Sequence, residues 1–212
     1  MNSSKDLDAY VIEHSSELPD FLLEHIKNVN LRTTKPRMLS GYIQGLFLKM
    51  IVQMIKPKRI LEIGTFTGFS ALCFALGSDK DCIIDSIEID EEMQDFIASN
   101  IDKAGYKNKI NVIFGDALSI IPCLDNVYDL VFIDANKRNY IEYYDLVFDK
   151  VSSGGIILAD NVLWDGHVLN PDKANDSQTQ SIMAFNKMIA LDARVEKLLL
   201  PLRDGLFLIR KK

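Results

Sequence analysis

The sequence predicts an α/β protein with a doubly wound, mostly parallel sheet that ends in an antiparallel hairpin. Apolar, β-branched segments of strand length alternate with segments of helical periodicity, and two strand-like segments around a turn occupy residues 194–210. The chain has 212 residues, 48% of them hydrophobic, which suits one domain with a sizeable core. We expect residues 1–56 to form a helical region that covers the site and residues 57–212 to form the α/β core.

The elements are expected in one continuous winding. A helical region at residues 6–30 precedes a basic connector at residues 32–37, which we expect to cover a cofactor. Further helices are expected at residues 41–56, 68–76, 91–104, 118–124, 140–151 and 177–190. Strands are expected at residues 58–63, 82–87, 110–114, 129–133, 156–159, 194–200 and 206–210, with Gly154-Gly155 opening the fifth. A polar loop at residues 165–176 is of the kind that gates a site.

The turn after the first strand, LEIGTFTGFS at residues 61–70, predicts a nucleotide-type cofactor site. Its glycines, Gly64 and Gly68, let a ligand approach the backbone closely, although alone they also fit an ordinary turn. The dinucleotide fingerprint needs glycines at positions 66 and 69, where this chain has Phe66 and Phe69, so a pyrophosphate fits poorly. Glu88 ends the second strand, 24 residues after Gly64, and is placed to accept hydrogen bonds from ribose hydroxyls.

Oxygen-bearing side chains follow two later strands. Asp134 ends one strand, and Asp160-Asn161 ends the next, so the parallel sheet brings them to one crevice. Each motif alone also fits a helix cap or a turn. Together they predict a site for Mg²⁺, Mn²⁺ or Ca²⁺, because these cations prefer oxygen ligands. Lys137 can reach the same crevice and is a candidate base, the alternative being an ordinary surface lysine.

The composition of the chain indicates which kinds of substrate and which cellular location to expect. A net charge of −6 provides no general field for attracting nucleic acid, which favours a small-molecule substrate. Residues 1–6 do not resemble a secretory signal, so we expect a cytoplasmic protein. The most apolar window, residues 46–55, is too short for a bilayer, which needs about 20 apolar residues.

Neither the cysteines nor the histidines predict a site. The three cysteines are widely spaced among apolar neighbours and are expected to be core thiols. The three histidines show no i, i+4 pairing, and we assign none of them to chemistry.

With these motifs in place, the chain resembles the cation-dependent O-methyltransferases of the catechol and caffeoyl-CoA type, which use S-adenosylmethionine. The segments that carry the resemblance span nearly the whole chain in family order. They are Arg37-Met38-Leu39-Ser40, LEIGTFTGFSAL (61–72), SIEID (86–90), FGDAL (114–118), VFIDANKRNY (131–140), ADNVLWDG (159–166) and PLRDGLFLIRK (201–211).

The resemblance implies a class I methyltransferase fold, a homodimer and a set of site residues. Glu62 is expected at the amino-acid end of the cofactor, Glu88 at the ribose, and Asp116 with Ala117 at the adenine. The implied cofactor-binding residues are Met38, Ser40, Glu62, Gly64, Thr65, Ser70, Glu88, Asp116, Ala117 and Asp134; the implied metal ligands are Asp134, Asp160 and Asn161. Plant members usually carry an acidic residue at position 136 and Asn at position 165, where this chain has Asn136 and Asp165.

The expected reaction is methyl transfer to a vicinal diol such as a catechol, with Lys137 as base. Trp164 is expected either to wall an aromatic pocket or simply to pack beneath its loop. Other candidate functions are methylation of a hydroxyuridine in tRNA, a nicotinamide-dependent oxidoreductase and a non-catalytic binding protein. A basic patch of Lys35, Arg37, Lys137 and Arg138 would favour tRNA, whereas the acidic balance opposes it.

Overall fold

A seven-stranded sheet forms the centre of the computed structural model, which describes residues 4–32, 39–173 and 175–212. The strands are β1 (Arg59–Ile63), β2 (Ile83–Glu88), β3 (Ile110–Phe114), β4 (Tyr128–Ile133), β5 (Val151–Asp160), β6 (Val195–Leu200) and β7 (Leu206–Lys211). Their order is β3-β2-β1-β4-β5-β7-β6, with β7 antiparallel to both neighbours and the other pairs parallel. This confirms the predicted fold class, including the C-terminal hairpin.

Helices cover both faces of the sheet. Within the described residues they are α1 (Ser4–Glu13), α2 (Asp20–Arg32), α3 (Tyr42–Ile55), α4 (Phe69–Gly77), α5 (Gln94–Lys103), α6 (Ala117–Ile120), α7 (Tyr140–Phe148) and α8 (Ser177–Leu191). The predicted N-terminal helical region therefore consists of two helices. The predicted connector at residues 32–37 falls almost entirely outside the described residues. None of the helices described is long and apolar enough to cross a membrane.

Alternate strand residues supply two hydrophobic cores. In β1, Ile60 packs in the core with side chains of α2, α3, α4 and α5, whereas Leu61 and Ile63 pack in the core with side chains of α6, α7 and α8. Because successive strand residues point to opposite faces, one apolar strand contributes to both cores. Burying each Leu or Ile side chain contributes about 1.5–3 kcal/mol. The carboxyl ends of the parallel strands are thereby held on a rigid base.

The boundary near residue 150 differs from the prediction. The helix expected over residues 140–151 ends at Phe148, and β5 begins at Val151 rather than at residue 156. Lys211 Nζ donates to the carbonyl oxygens of Phe148 and Val151 at 2.8 and 2.9 Å. Gly154, with φ +79°, lies inside β5 where the register with β4 shifts. Bonds to residues distant in sequence therefore end the helix and extend the strand.

Two smaller expectations change as well. Cys73 and Cys82 are buried as expected, but Cys123 is exposed because it ends a short 3-10 helix at the surface. The predicted polar loop at residues 165–176 contains two 3-10 helices, His167–Leu169 and Pro171–Lys173.

Close contact between α3 and α4 fixes the helical layer beside the site. A Cβ atom added at Gly77 would lie 2.3 Å from the carbonyl oxygen of Lys49 and 2.4 Å from Cγ2 of Val52. The first of these neighbours is backbone, so it cannot move aside without shifting α3. Glycine at the end of α4 thus permits the two helices to touch.

Gly77→Ala should therefore destabilise the protein, by about 1–3 kcal/mol, because overpacking forces backbone shifts. Urea unfolding of the variant and the unchanged protein measures this directly. Equal unfolding free energies would contradict the close approach of α3 and α4.

Candidate functional site

Two adjoining cavities lie at the carboxyl ends of the parallel strands. The smaller, of about 460 Å³, extends from the glycine turn toward the residues that follow β5. The larger, of about 570 Å³, extends from the same turn toward the ends of β2 and β3. Their shared walls are Gly64, Phe66, Asp134, Ala135 and Asn136. The ends of β1 and β4 therefore form the junction between the cavities.

Gly64 is required by the protein's own backbone. Its φ is +98°, and an added Cβ atom would lie 2.1 Å from the carbonyl oxygen of Asp134. Gly64 N donates to the carbonyl oxygen of Ile87 at 2.9 Å, and Asp134 N donates to that of Ile63 at 2.9 Å. The sequence predicted a glycine that lets a ligand approach. The structure adds that no side chain fits against the end of β4.

Glu88 ties the end of β2 to the glycine turn. Its Oε2 accepts from the backbone N–H groups of Thr65 and Phe66 at 3.1 and 2.6 Å. Its Oε1 accepts from Asp90 N at 2.9 Å. The side chain is only 7% exposed, yet it lines the larger cavity. A carboxylate held by three backbone donors keeps a fixed direction and still has lone pairs for a ligand.

Glu62 lies deeper than the sequence suggested. It is fully buried and is absent from the walls of both cavities. Ser86 donates to its Oε2, and the Ser86 and Thr65 hydroxyls are 2.6 Å apart. Glu62 Oε1 is buried without a hydrogen-bond partner. Burial raises the pKa of the Glu62 carboxyl to about 8, although the nearby Ser70 and Ser86 hydroxyls oppose the rise.

The remaining residues expected around the cofactor divide between the two cavities. Ser40, Thr65 and Ser70 line the smaller cavity. Asp116 and Ala117 line the larger one, where Asp116 also caps α6 by accepting from Leu118 N at 3.1 Å. Gly64 and Asp134 line both. Met38 lies outside the described residues.

Lys137 reaches the crevice and is buried in it. Its Nζ donates to Asp134 Oδ1 at 2.8 Å and to the Tyr140 hydroxyl at 2.7 Å. The Tyr140 hydroxyl in turn donates to the backbone carbonyl of Asp160 at 2.9 Å. This chain of bonds excludes the reading of Lys137 as an ordinary surface lysine.

Asp160 and Asn161 occupy the end of β5 beside Asp134. Asp160 is fully buried; its Oδ2 accepts from Gln44 Nε2 at 2.7 Å, and its Oδ1 accepts from Asn161 N at 2.8 Å. Burial and the charge of Asp134 raise the pKa of Asp160 above its usual range, and Lys137 opposes this rise. Asn161 lines the smaller cavity. Among the described residues, no three His, Cys, Asp or Glu side chains form a metal-binding group.

The sequence reasoning assigned no role to several residues at this site. Gln44, on α3, reaches Asp160, and Arg203 Nη1 lies 3.5 Å from Gln44 Oε1. Arg203 and Asp204 line the smaller cavity from the turn between β6 and β7. Asp204 also accepts from the backbone N of Asp165. Arg203, Asp204 and Tyr140 lie in segments that carried the family resemblance, which was the one signal pointing to them.

Trp164 has both of the positions that the sequence allowed, in the wall of a pocket and packed beneath its loop. It lines the smaller cavity and also packs against the core formed with α6, α7 and α8. Its φ is +50°, within the loop after β5. Leu163 N in that loop donates to the Asp204 carbonyl at 2.9 Å, so the C-terminal hairpin holds the loop in place.

Comparisons with known proteins show the family of this chain. The O-methyltransferase family profile matches residues 12–212. A probable caffeoyl-CoA O-methyltransferase of Dictyostelium discoideum is 35% identical over 207 residues, covering 95% of this chain and 90% of the relative. Caffeoyl-CoA O-methyltransferase 1 of Arabidopsis thaliana is 33% identical over 224 residues, covering 98% and 85%. The SAH-bound methyltransferase PaMTH1 of Podospora anserina superposes with a TM-score of 0.93 at 31% identity, covering 99% and 95%.

The buried Glu62 carboxyl predicts a pH effect on stability. Because its pKa is raised from 4.5 to about 8 in the folded protein, its contribution to stability is present below pH 4.5 and is lost as the pH rises through 8. Glu62→Gln has no ionisable group at this position, so its stability does not show this loss with pH. Between pH 5.5 and 8.5, the variant should therefore gain unfolding free energy relative to the unchanged protein.

Urea unfolding without ligand at both pH values measures the effect, and Glu17→Gln serves as control because Glu17 is exposed. A difference between Glu62→Gln and the unchanged protein that stays constant with pH would contradict the raised pKa.

Proposed function

Since this chain belongs to the O-methyltransferase family and is an S-adenosylmethionine-dependent O-methyltransferase, we propose that it methylates a hydroxyl of a catechol-like vicinal diol with the help of a divalent cation. The observation that carries the proposal is the junction of the two cavities at Gly64 and Asp134. A donor in the larger cavity and an acceptor in the smaller one meet at the end of β4.

The larger cavity and the turn beside it suit the methyl donor. Glu88, Asp116 and Ala117 line this cavity. Glu88 would accept from the ribose hydroxyls, and Asp116 with Ala117 would contact the adenine. Glu62 lies behind the cavity walls, and its contact with the donor's amino-acid end stays a prediction from the family resemblance. Ser40, Thr65 and Ser70 would surround that end from the smaller cavity.

The donor set at the ends of β4 and β5 fits a hard divalent cation such as Mg²⁺, Mn²⁺ or Ca²⁺. Asp134 and Asp160 are close enough for the charge of one to raise the pKa of the other, which is a repulsion that a cation relieves. The amide oxygen of Asn161 would be the third ligand. When bound, the cation would lower the pKa of a coordinated hydroxyl.

Lys137 is held where it can accept the acceptor's proton. Asp134 and Tyr140 fix its Nζ, and burial shields it from water. In its deprotonated form, Nζ takes the proton of the acceptor hydroxyl. The acceptor oxygen attacks the methyl carbon as the carbon–sulfur bond breaks, and the bonding electron pair stays on sulfur. The products are a methyl ether and S-adenosylhomocysteine, with no covalent enzyme intermediate.

The rest of the site orients the two reactants. Trp164 and Phe66 give the smaller cavity aromatic walls, which suit a planar acceptor. Holding two reactants at attack distance supplies up to about 7–11 kcal/mol in well-oriented systems. The C-terminal hairpin supports this geometry, because it bonds to the loop that carries Asn161 and Trp164.

Methylation of tRNA is not favoured. Of the basic patch that would bind it, Lys137 is buried against Asp134, which leaves Arg138 as its one exposed member among the described residues. Lys35 and Arg37 lie outside the described residues. The homodimer and the cytoplasmic location stay predictions from the sequence.

Removing the cation should abolish turnover. With labelled S-adenosylmethionine, methyl transfer to catechols should vanish in excess chelator and return with Mg²⁺, because a bound cation would activate the hydroxyl. The acceptor panel includes catechols, catechol-bearing acyl-CoA thioesters and undermodified tRNA. Asp160→Asn should lose turnover and keep donor binding by calorimetry. Full activity in chelator would refute the metal site, and transfer to tRNA alone would refute the acceptor class.

Two substitutions of Lys137 distinguish its role as a general base from a role as a fixed positive charge. Lys137→Met should lower kcat by about 10²- to 10⁴-fold, the range that general base catalysis contributes. Lys137→Arg keeps the charge but cannot release its proton at neutral pH, so it should lose a similar factor. Both should bind S-adenosylhomocysteine within about threefold of the unchanged protein. An arginine variant with normal kcat would show that Lys137 acts through its charge.

A further inference from the structure

His25 on α2 is buried against the glycine turn, although it lies outside both large cavities. Its Nε2 is 3.0 Å from the Thr67 hydroxyl oxygen, and Thr67 lines the smaller cavity. The imidazole is only 3% exposed and lies between the rings of Phe69 and Phe96, with centroid distances of 5.7 and 6.2 Å. This hydrogen bond joins the N-terminal helices to the loop that faces the donor.

A small cavity lies beside His25 on the side of α5. His25 Nδ1 and Asn100 Nδ2 are both buried without a partner, and both residues line a cavity of about 40 Å³ between α2 and α5. A cavity of this size with two polar atoms admits a water molecule. The bond to the Thr67 hydroxyl is the only hydrogen bond of the His25 ring within the described part of the chain.

Burial also keeps this imidazole neutral, because it lowers the pKa of His25 to about 4. A neutral ring has one donor and one acceptor nitrogen, and the Thr67 hydroxyl can bond to either kind.

We propose that His25 is a positioning residue for the methyl donor, acting through the Thr67 hydroxyl to hold the glycine turn in its binding conformation. The proposal rests on the donor site of the proposed function and is independent of the acceptor and the cation. The backbone N–H groups of Thr65 and Phe66, just before Thr67, are those that bind Glu88. Displacement of Thr67 therefore shifts the contact that orients Glu88 toward the donor.

The test is a double-mutant cycle with S-adenosylhomocysteine binding by calorimetry as the readout. His25→Phe keeps an aromatic ring between Phe69 and Phe96, and Thr67→Val keeps the side-chain shape, while each removes the bond. Each single variant should bind about three- to tenfold more weakly, which corresponds to one net hydrogen bond. The double variant should bind no more weakly than the single variants, because both remove the same interaction.

Three further measurements separate positioning from general stability. Thr67→Ser restores the hydroxyl and should restore binding. His14→Phe, at an exposed position just after α1, should bind as the unchanged protein does. In turnover assays, the loss in His25→Phe should fall on KM for S-adenosylmethionine and leave kcat within about twofold.

Binding within twofold of the unchanged protein in a folded His25→Phe variant would overturn the proposal, as would fully additive losses in the cycle. Should His25→Phe fail to fold, the comparison of Thr67→Val with Thr67→Ser decides the outcome, since equal binding by both would also overturn it. Binding of S-adenosylhomocysteine requires no acceptor and no cation. The double-mutant cycle therefore tests the role of His25 even if the protein does not methylate catechols.

Discussion

The contact between the end of β1 and the end of β4 is the constraint on which the site depends. These neighbouring strands lie where the chain order of the sheet reverses, which is where open α/β sheets form their ligand crevice. Gly64 approaches the Asp134 carbonyl so closely that any side chain would collide with it. That approach joins the two cavities in which we propose that the donor and the acceptor bind.

Buried carboxylates surround this contact, and neutral groups hold each of them. Backbone N–H groups donate hydrogen bonds to Glu88, and the Ser86 hydroxyl donates to Glu62. Gln44 Nε2 and Asn161 N donate to Asp160. Burying a carboxylate carries a desolvation cost that such hydrogen bonds only partly offset. The raised pKa values of Glu62 and Asp160 record that cost. A site arranged in this way favours cationic ligands, which is consistent with a sulfonium donor and with the divalent cation that we propose.

Much of the fold was predictable because strands and helices are encoded locally. The strand Ile110–Phe114 has the predicted bounds, and the C-terminal hairpin is present as expected. The predicted boundary between α7 and β5 was wrong, because the bonds of Lys211 and the pairing of β5 with β4 determine where α7 ends and β5 begins. Contacts between residues distant in the sequence also limit prediction of the site. Gln44 reaches Asp160 from 116 residues away, and no local pattern predicts such a contact.

By itself, the sequence determined the order of strands and helices, the glycine turn and the polar residues at strand ends. These depend on residue type and on spacing along the chain. Only the tertiary structure decided that Gly64 must be glycine because of Asp134, that Glu62 lies behind the cavities rather than in their walls, and that Lys137 is buried. It also brought His25 to Thr67. The physical reason is that packing between distant segments, rather than local pattern, sets burial and hydrogen-bond partners.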